Sequence, residues 1–318
     1  MGSDANEYDV AIVGGGPAGC SAGVFTAREG LDTVIFDRGR SSIRQCAYLE
    51  NYLGFPEGID IETFYDLMHD HVAAAGCEVV SDLVESVEPT ERGFVVEPQE
   101  GESVRARRVV AATRYDGEYL RGLDDEAAMF ETYERDGETH ETFDKSYADT
   151  DGTTPVEGLY VVSPSEEDKQ AIMAAGRGAR VAHRVIADDK LDGDWWPAVT
   201  EENVDWVRRE AERTEEWTDR DRWVEYFDEY YGADAPVGAD TERYRAVRDA
   251  FIDESMAAYI SASEADARAS KGHETLADRL DVETMVSAVD DAELLAAIDD
   301  DAIREYVDGD GLRPTSDD

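Results

Sequence analysis

Asp9-Val10-Ala11-Ile12-Val13-Gly14-Gly15-Gly16-Pro17-Ala18-Gly19 decides how this chain is read. A short apolar strand runs into a glycine turn, and small residues then open a helix that reaches Glu29 before Gly30. A second apolar run, Leu31 to Phe36, ends at Asp37. Strand, Gly-x-Gly-x-x-Gly, helix, strand and acid, with about 20 residues between the glycines and the acid, is the order of a dinucleotide-binding βαβ unit. The glycines permit a tight turn, close approach of a pyrophosphate and close contact of helix on strand. The helix N-terminus adds free N–H groups and a positive dipole end. Gly14, Gly16, Pro17, Ala18 and Gly19 are therefore the expected phosphate seat. Asp37 is the expected acceptor for the adenosine ribose hydroxyls.

The chain has 318 residues, 76 of them acidic and 30 basic, for a net charge of −46. Such a charge repels nucleic acid and anionic membranes, so neither is an expected partner. With 42% hydrophobic and 9% aromatic residues, the acidity marks a folded rather than a disordered chain. Lysine occurs only at Lys145, Lys169, Lys190 and Lys271. An acid-coated, lysine-poor surface resembles that of a halophilic, salt-accumulating cell's proteins, where self-repulsion is screened over about 3 Å at 1 M salt. Cys20, Cys46 and Cys77 form neither a CxxC nor a metal-ligand spacing, and no metal is expected. No apolar segment has bilayer length and residues 1–7 do not read as a signal peptide, so the expected location is cytoplasmic.

Residues 8 to about 115 alternate strands and helices: a helix over 18–29, a strand over 31–36, a helix over 61–75 ending at Gly76, and strands over 77–80, 93–96 and 108–112. Residues 116–152 are polar and show no core period. A strand follows at 158–162 and a helix over about 169–187. Beyond about 193 the pattern becomes helical, with stripes at Val204, Val207 and Ala211, at Trp223, Phe227 and Tyr230, and at Tyr244, Val247, Phe251 and Ala258. Short helices are expected near 276–280, 285–289, 294–298 and 303–307, with aspartate caps such as Asp290 and Asp301. The domains read as 1–192, a Rossmann-type α/β unit, and 193–318, a helical C-terminal region. Trp195-Trp196-Pro197 joins them, either pinning one to the other or lining a pocket.

Further motifs narrow the first unit. Leu49-Glu50-Asn51-Tyr52-Leu53-Gly54-Phe55-Pro56 resembles the E-N-x-x-G-F-P segment of thioredoxin-reductase-like flavoproteins, within the pyridine nucleotide-disulphide oxidoreductases. Val109-Val110-Ala111-Ala112-Thr113 is similar to that family's strand ending in A-T-G. Thr153 to Val162 resembles the segment before its late G-D motif, and Lys169 to Ala179 the helix after it. The resemblance covers about 1–120 and 150–190. It implies FAD as cofactor, with Arg38, Val84 and Thr113 among the residues lining its site and Asn51 beside the flavin. It also implies that the helix start at Gln170 and Ala171 points N–H groups at the isoalloxazine pyrimidine edge, where reduction gathers negative charge.

The departures are equally specific. The family inserts an NAD(P)H domain where only about thirty polar residues join Leu123 to Thr153, and the redox CxxC is absent. Arg114 replaces the glycine of A-T-G, and Ser163-Pro164 replace the late glycine and aspartate; Glu166, Glu167 or Asp168 are candidate substitutes for that acid. The thiol candidate for chemistry is Cys46, beside Arg44, with packing as its alternative. His69 and His71 point in different helical directions and read as surface or partly buried residues. Three readings stand at this point. One is a flavin-dependent oxidoreductase fed by a separate electron donor, with a homodimer as a candidate assembly. The second is a nucleotide-binding or interaction module without turnover. An NAD-dependent dehydrogenase is the third.

Overall fold

A computed structural model of the chain describes residues 6–113, 117–162, 169–201 and 205–309. The glycine-rich turn lies between β1 (Glu7–Val13) and α1 (Pro17–Arg28), and β2 (Thr33–Phe36) completes the βαβ unit. Next come α2 (Ile61–Ala75), β3 (Glu78–Val80), β4 (Val84–Thr90), β5 (Gly93–Pro98) and β6 (Val104–Ala111). A short α3 (Glu126–Met129) leads into β7 (Phe130–Arg135) and β8 (Glu138–Phe143), then β9 (Leu159–Val161) and the long α4 (Ala171–Asp192).

β3, β2, β1, β6 and β9 pair in parallel in that order. β5 and β4 extend the sheet antiparallel from the first half of β6. The central strands are buried on both faces, as parallel strands covered on two sides must be. Val10 and Ile12 join Val110, Val181 and Ile186 in the core under α1 and α4. Ala11 and Val13 face the other way, toward Phe94, Val109 and Leu159. Small residues let these helices sit close. A Cβ at Gly19 would lie 1.9 Å from the Gly14 carbonyl oxygen, and one at Gly178 only 2.1 Å from that of Ala18.

The segment 116–152 corrects its sequence reading. It folds as α3 and a β7–β8 hairpin, and Met129, Phe130 and Phe143 close the second face of the sheet together with Tyr119 and Leu120. The turn is Asp136-Gly137, both at positive φ (54° and 83°), the pairing that a two-residue hairpin of the right twist requires. β4 is a further strand that the sequence pattern does not announce; its Val84 and Val87 are buried, but only one face of it is apolar.

Past α4 the chain forms α5 (Pro197–Thr200), β10 (Arg208–Arg209), α6 (Arg220–Tyr230), α7 (Glu242–Ala257), β11 (Tyr259–Ile260) and α8 (Ala262–Ala277). Trp196, Phe227, Tyr244 and Val247 form its core, so the stripes on α6 and α7 are packing faces, although Tyr230 is exposed. The stripe expected through Val207 and Ala211 is not an α-helix; Ala211 lies in a single 3-10 turn, Glu210–Glu212. Arg208–Arg209 pair in parallel with Tyr259–Ile260, Val207 is exposed, and Val204 lies outside the described residues. The region is thus not purely helical.

Nor does packing divide the chain near 193. One compact unit runs to Arg268 and a second from Ala269 onward. Residues 193–268 are tied to the α/β part by Lys190 with Glu254 (2.8 Å) and by Arg28 with Asp205 (2.5 Å). The second unit holds the end of α8 with α9 (Val282–Ser287), α10 (Asp291–Ala297) and α11 (Asp300–Asp308). Asp281, Asp290 and Asp299 cap the last three, whereas Asp301 lies within the first turn of α11.

The acid excess predicts a fold that depends on salt. Transfer from multimolar to 0.1 M KCl lengthens electrostatic screening from a few ångströms to about 10 Å. The expected result is a lower melting temperature and loss of helical circular dichroism. An unchanged melting curve in dilute salt would remove the halophilic reading.

Candidate dinucleotide site

A cavity of about 700 Å³ opens at the C-terminal ends of β1, β2 and β6, between the glycine turn and the start of α4. Ligands of open α/β sheets bind at this edge. Gly14, Gly16, Pro17, Ala18, Asp37, Arg38, Cys46, Asn51, Val84, Thr113, Gln170 and Ala171 all line it. Gly19 does not: it sits inside α1, where its missing Cβ admits the Gly14 carbonyl. Arg114, Ser163, Pro164, Glu166, Glu167 and Asp168 lie outside the described residues.

Two helices start at this cavity without a side-chain cap. Gly16 precedes α1 and Gln170 precedes α4, neither side chain bonds the first turn, and neither first turn carries an acid. The other described helices of eight residues or more are capped, by Asp60, Asp219, Thr241, Ser261 and Asp299, with Glu or Asp in every first turn. A helix start leaves free N–H groups and a positive dipole end, which an anionic side chain usually answers. Here an acid-rich chain places no acid in either first turn. It adds Arg38 and Arg40 from the loop after β2 and Lys169 before α4 to the same wall. The cavity lining thus brings together two helix N-termini and three cationic side chains.

At its far end Asn51 Nδ2 donates to Gln170 Oε1 at 2.9 Å, which joins two residues 119 positions apart and occupies the side chain that would otherwise cap α4. Thr113 Oγ1 lies 3.0 Å from the Tyr119 hydroxyl.

Asp37 is buried at the near end. Its Oδ1 accepts the Gly39 N–H at 3.0 Å, and its Oδ2 accepts the Tyr65 hydroxyl. His69 Nε2 lies 3.2 Å from the same Oδ2 and 3.3 Å from the Gly15 carbonyl oxygen. A carboxylate accepts about four hydrogen bonds, so one lone pair on Oδ1 is left for a ribose hydroxyl. Burial would raise the Asp37 pKa, but the bonds from His69, Tyr65 and Gly39 outweigh it and the pKa is lowered. The hydrogen bond to Asp37 raises the His69 pKa against its own desolvation. Burial, then the bond to Asp37, raises that of Tyr65.

Sequence reading misses Tyr65 and His69. The available signal is their spacing of four on α2, which puts both on the face toward β2. Arg44 lies over the Tyr65 ring at 3.9 Å. Cys46 is exposed and free on the wall. Cys20 and Cys77 are packing residues whose thiols burial pushes up to about 12.

The pair gives a pH prediction. His69 contributes stability that is fully present below its ordinary pKa of 6.5 and is lost as pH rises through its raised folded value. Asp37 contributes above its ordinary 3.8, and loses this as pH falls through its lowered folded value. The pair therefore counts most in mildly acidic solution. The melting-temperature difference between the native chain and His69→Gln should be largest near pH 6 and shrink by pH 9. A difference that does not change with pH would exclude an ionic role for His69.

Residues 8–142 match the family model described as pyridine nucleotide-disulphide oxidoreductase. The chain is 31% identical over 113 residues to thioredoxin reductase of Rickettsia conorii, covering 35% of this chain and 36% of that one. With NADPH-dependent thioredoxin reductase 3 of Arabidopsis thaliana it shares 26% over 192 residues (58% and 34%). The chain thus spans about a third of the length of these relatives. Among solved structures, a thioredoxin reductase from Gloeobacter violaceus aligns over 64% of this chain and 98% of its own, at 18% identity and a TM-score of 0.48. Members of the matched family are FAD-binding flavoproteins. Over residues 8–142 the chain is thus similar to the pyridine nucleotide-disulphide oxidoreductases, and to thioredoxin reductases among them.

Proposed function

We propose that this chain binds FAD in the glycine-rich cavity and is a flavin-dependent oxidoreductase that takes its electrons from an external donor. The observation that supports it most is the pair of helix starts on one cavity wall that have neither a side-chain cap nor an acid in the first turn. FAD carries charge at two places, its pyrophosphate and, when reduced, the pyrimidine edge of its isoalloxazine. The start of α1, with Arg38 and Arg40 nearby, suits the first. The start of α4 suits the second, held by the Asn51–Gln170 hydrogen bond. The remaining lone pair of Asp37 suits the ribose. Bound there, FAD supplies electron transfer between a donor and an acceptor.

Support for an external donor comes from the segment between β6 and β9. It holds α3 and the β7–β8 hairpin, and the sequence contains no second Gly-x-Gly-x-x-Gly turn of the kind that follows β1. A separate redox protein, in a reducing cytoplasm, is the fitting partner for this reading, and a second copy of the chain fits as a homodimer.

The test is an absorption spectrum of the full chain in multimolar KCl with and without added FAD, followed by dithionite titration. The expected result is stoichiometric flavin that bleaches on reduction and returns in air. ADP binding without any flavin binding would replace this reading by that of a nucleotide-binding module.

A further inference from the structure

A second cavity of the first unit, about 610 Å³ in volume, takes no part in the dinucleotide site. It lies where the C-terminal end of α4 meets the layer formed by residues 195–259. Four of the chain's five tryptophans line it, Trp195, Trp206, Trp217 and Trp223, with Tyr226 and Tyr259 among the other rings. Trp217 meets Trp223 at 4.7 Å between ring centroids and Tyr226 edge-on at 5.4 Å. Rings tilted in this way offer both faces and edges, the two surfaces against which another aromatic ring packs best.

The charge of this wall runs against that of the chain. Lys190 and Glu254 neutralise each other at 2.8 Å, and Lys190 also meets Glu29 at 2.5 Å. Arg208 has no carboxylate partner among the described residues. Its guanidinium lies 5.7 Å from the Trp206 ring centroid and 6.0 Å from that of Tyr259. Arg213 stands behind the wall: its Nε donates to the Trp217 carbonyl at 2.7 Å, and its guanidinium lies 5.0 Å from the Tyr259 ring. Its Nη2 is buried with no hydrogen-bond partner. Buried donors are nearly always paired, and an unpaired one calls for a missing ligand, ion or water. With 76 acids in the chain, two guanidinium groups that have no carboxylate partner among the described residues leave positive charge beside an aromatic cavity.

We propose that this cavity binds a small planar aromatic carboxylate, its ring packed among Trp217, Trp223 and Tyr226 and its anionic group on Arg208. Aromatic boxes also receive quaternary ammonium groups, but the guanidinium groups here repel a cation. The site is separate from the dinucleotide cavity. Lys190 is 19 residues along α4 from Ala171, about 28 Å at the helical rise of 1.5 Å per residue. Reacting atoms must come within about 3–3.5 Å, so a ligand here exchanges no hydride directly with a flavin at the start of α4.

The experiment is a calorimetric titration of the full chain in multimolar KCl with 2-naphthoate, 2-naphthalenemethanol and benzyltrimethylammonium as probes. Naphthoate is expected to bind about tenfold tighter than the neutral alcohol, the value of one charge-assisted hydrogen bond. Arg208 is exposed, so Arg208→Gln should fold normally and bring the two within about twofold. Excess ADP should leave naphthoate binding unchanged, and this holds whether or not the chain binds flavin. No binding of naphthoate, equal affinity for the alcohol, an unaltered preference in Arg208→Gln, tighter binding of the ammonium probe or displacement by ADP would each overturn the assignment.

Discussion

Gly16→Val leaves the protein folded but unable to hold a dinucleotide: this is the largest effect expected at the site. A Cβ at position 16 would lie 2.6 Å from Ser41 Oγ, and the next nearest atom, Ser41 Cβ, is 3.6 Å away. A serine hydroxyl can rotate aside, so the cost to the fold is small. The valine methyls, however, fill the space at the uncapped start of α1 that the pyrophosphate would occupy. Affinity for FAD and for ADP should fall at least about 100-fold, or about 2.7 kcal/mol, with the melting temperature within a few degrees of the parent's. Gly19→Val is the control of opposite kind. Its added Cβ meets the Gly14 backbone oxygen at 1.9 Å, which cannot move without opening the β1–α1 turn, so folding and binding should be lost together. Equal FAD affinity in Gly16→Val and the native chain would show that the glycine turn is not the phosphate seat.

Asp37→Ala carries the second large effect, and it acts on binding and stability at once. It removes the acceptor for the ribose hydroxyl, a charged hydrogen bond worth about 1.5–3 kcal/mol. It also leaves the Tyr65 hydroxyl and His69 without their shared partner in a buried setting. Breaking a buried charged pair from one side costs about 3–5 kcal/mol, so the melting temperature should fall by roughly 10 °C. ADP affinity should drop at least about tenfold. Asp37→Asn separates the two roles: its side-chain oxygen still accepts from Tyr65, while the charge that holds protonated His69 is gone. Its stability should lose the dependence on pH between 6 and 9 that the native pair provides. If Asp37→Ala melts like the native chain, the Tyr65–Asp37–His69 cluster has no structural part in the cavity.

Much of the site can be read along the chain because its parts are local. Gly14, Gly16 and Pro17 are neighbours in sequence, and a turn that admits a phosphate depends on their own backbone and on the absence of side chains. Asn51 and Gln170 are a different matter. Their hydrogen bond crosses 119 positions, and only family motifs, not periodicity, suggest that they share a surface. Tyr65 and His69 escape a reading that compares His69 only with His71. The partner that matters, Asp37, directly follows β2, and nothing local ties a helix face to it.

The misread segments follow the same rule. Asp136-Gly137 carries a hairpin signal, but strand residues such as Glu131, Glu134 and Glu141 hide the pattern, since both faces of the ribbon are largely exposed and only Phe130 and Phe143 at its base are buried. Val207 and Ala211 match a helical spacing by chance. The pairing of Arg208–Arg209 with Tyr259–Ile260, some fifty residues on, holds that backbone extended.

What the sequence determined by itself was therefore the βαβ start, the glycine turn, the buried central strands and the overall acidity. Each is set by residues within one or two elements, where steric limits and hydrophobic period act directly. Only the tertiary structure decided that α1 and α4 present their uncapped starts to one cavity. It also decided that Asp37 is shared with Tyr65 and His69, and that residues 195–259 enclose an aromatic chamber beside two guanidinium groups with no carboxylate partner among the described residues. Those arrangements arise from the packing of helices across a sheet, which brings distant residues within hydrogen-bonding reach, and a pattern read along one chain does not encode such distances.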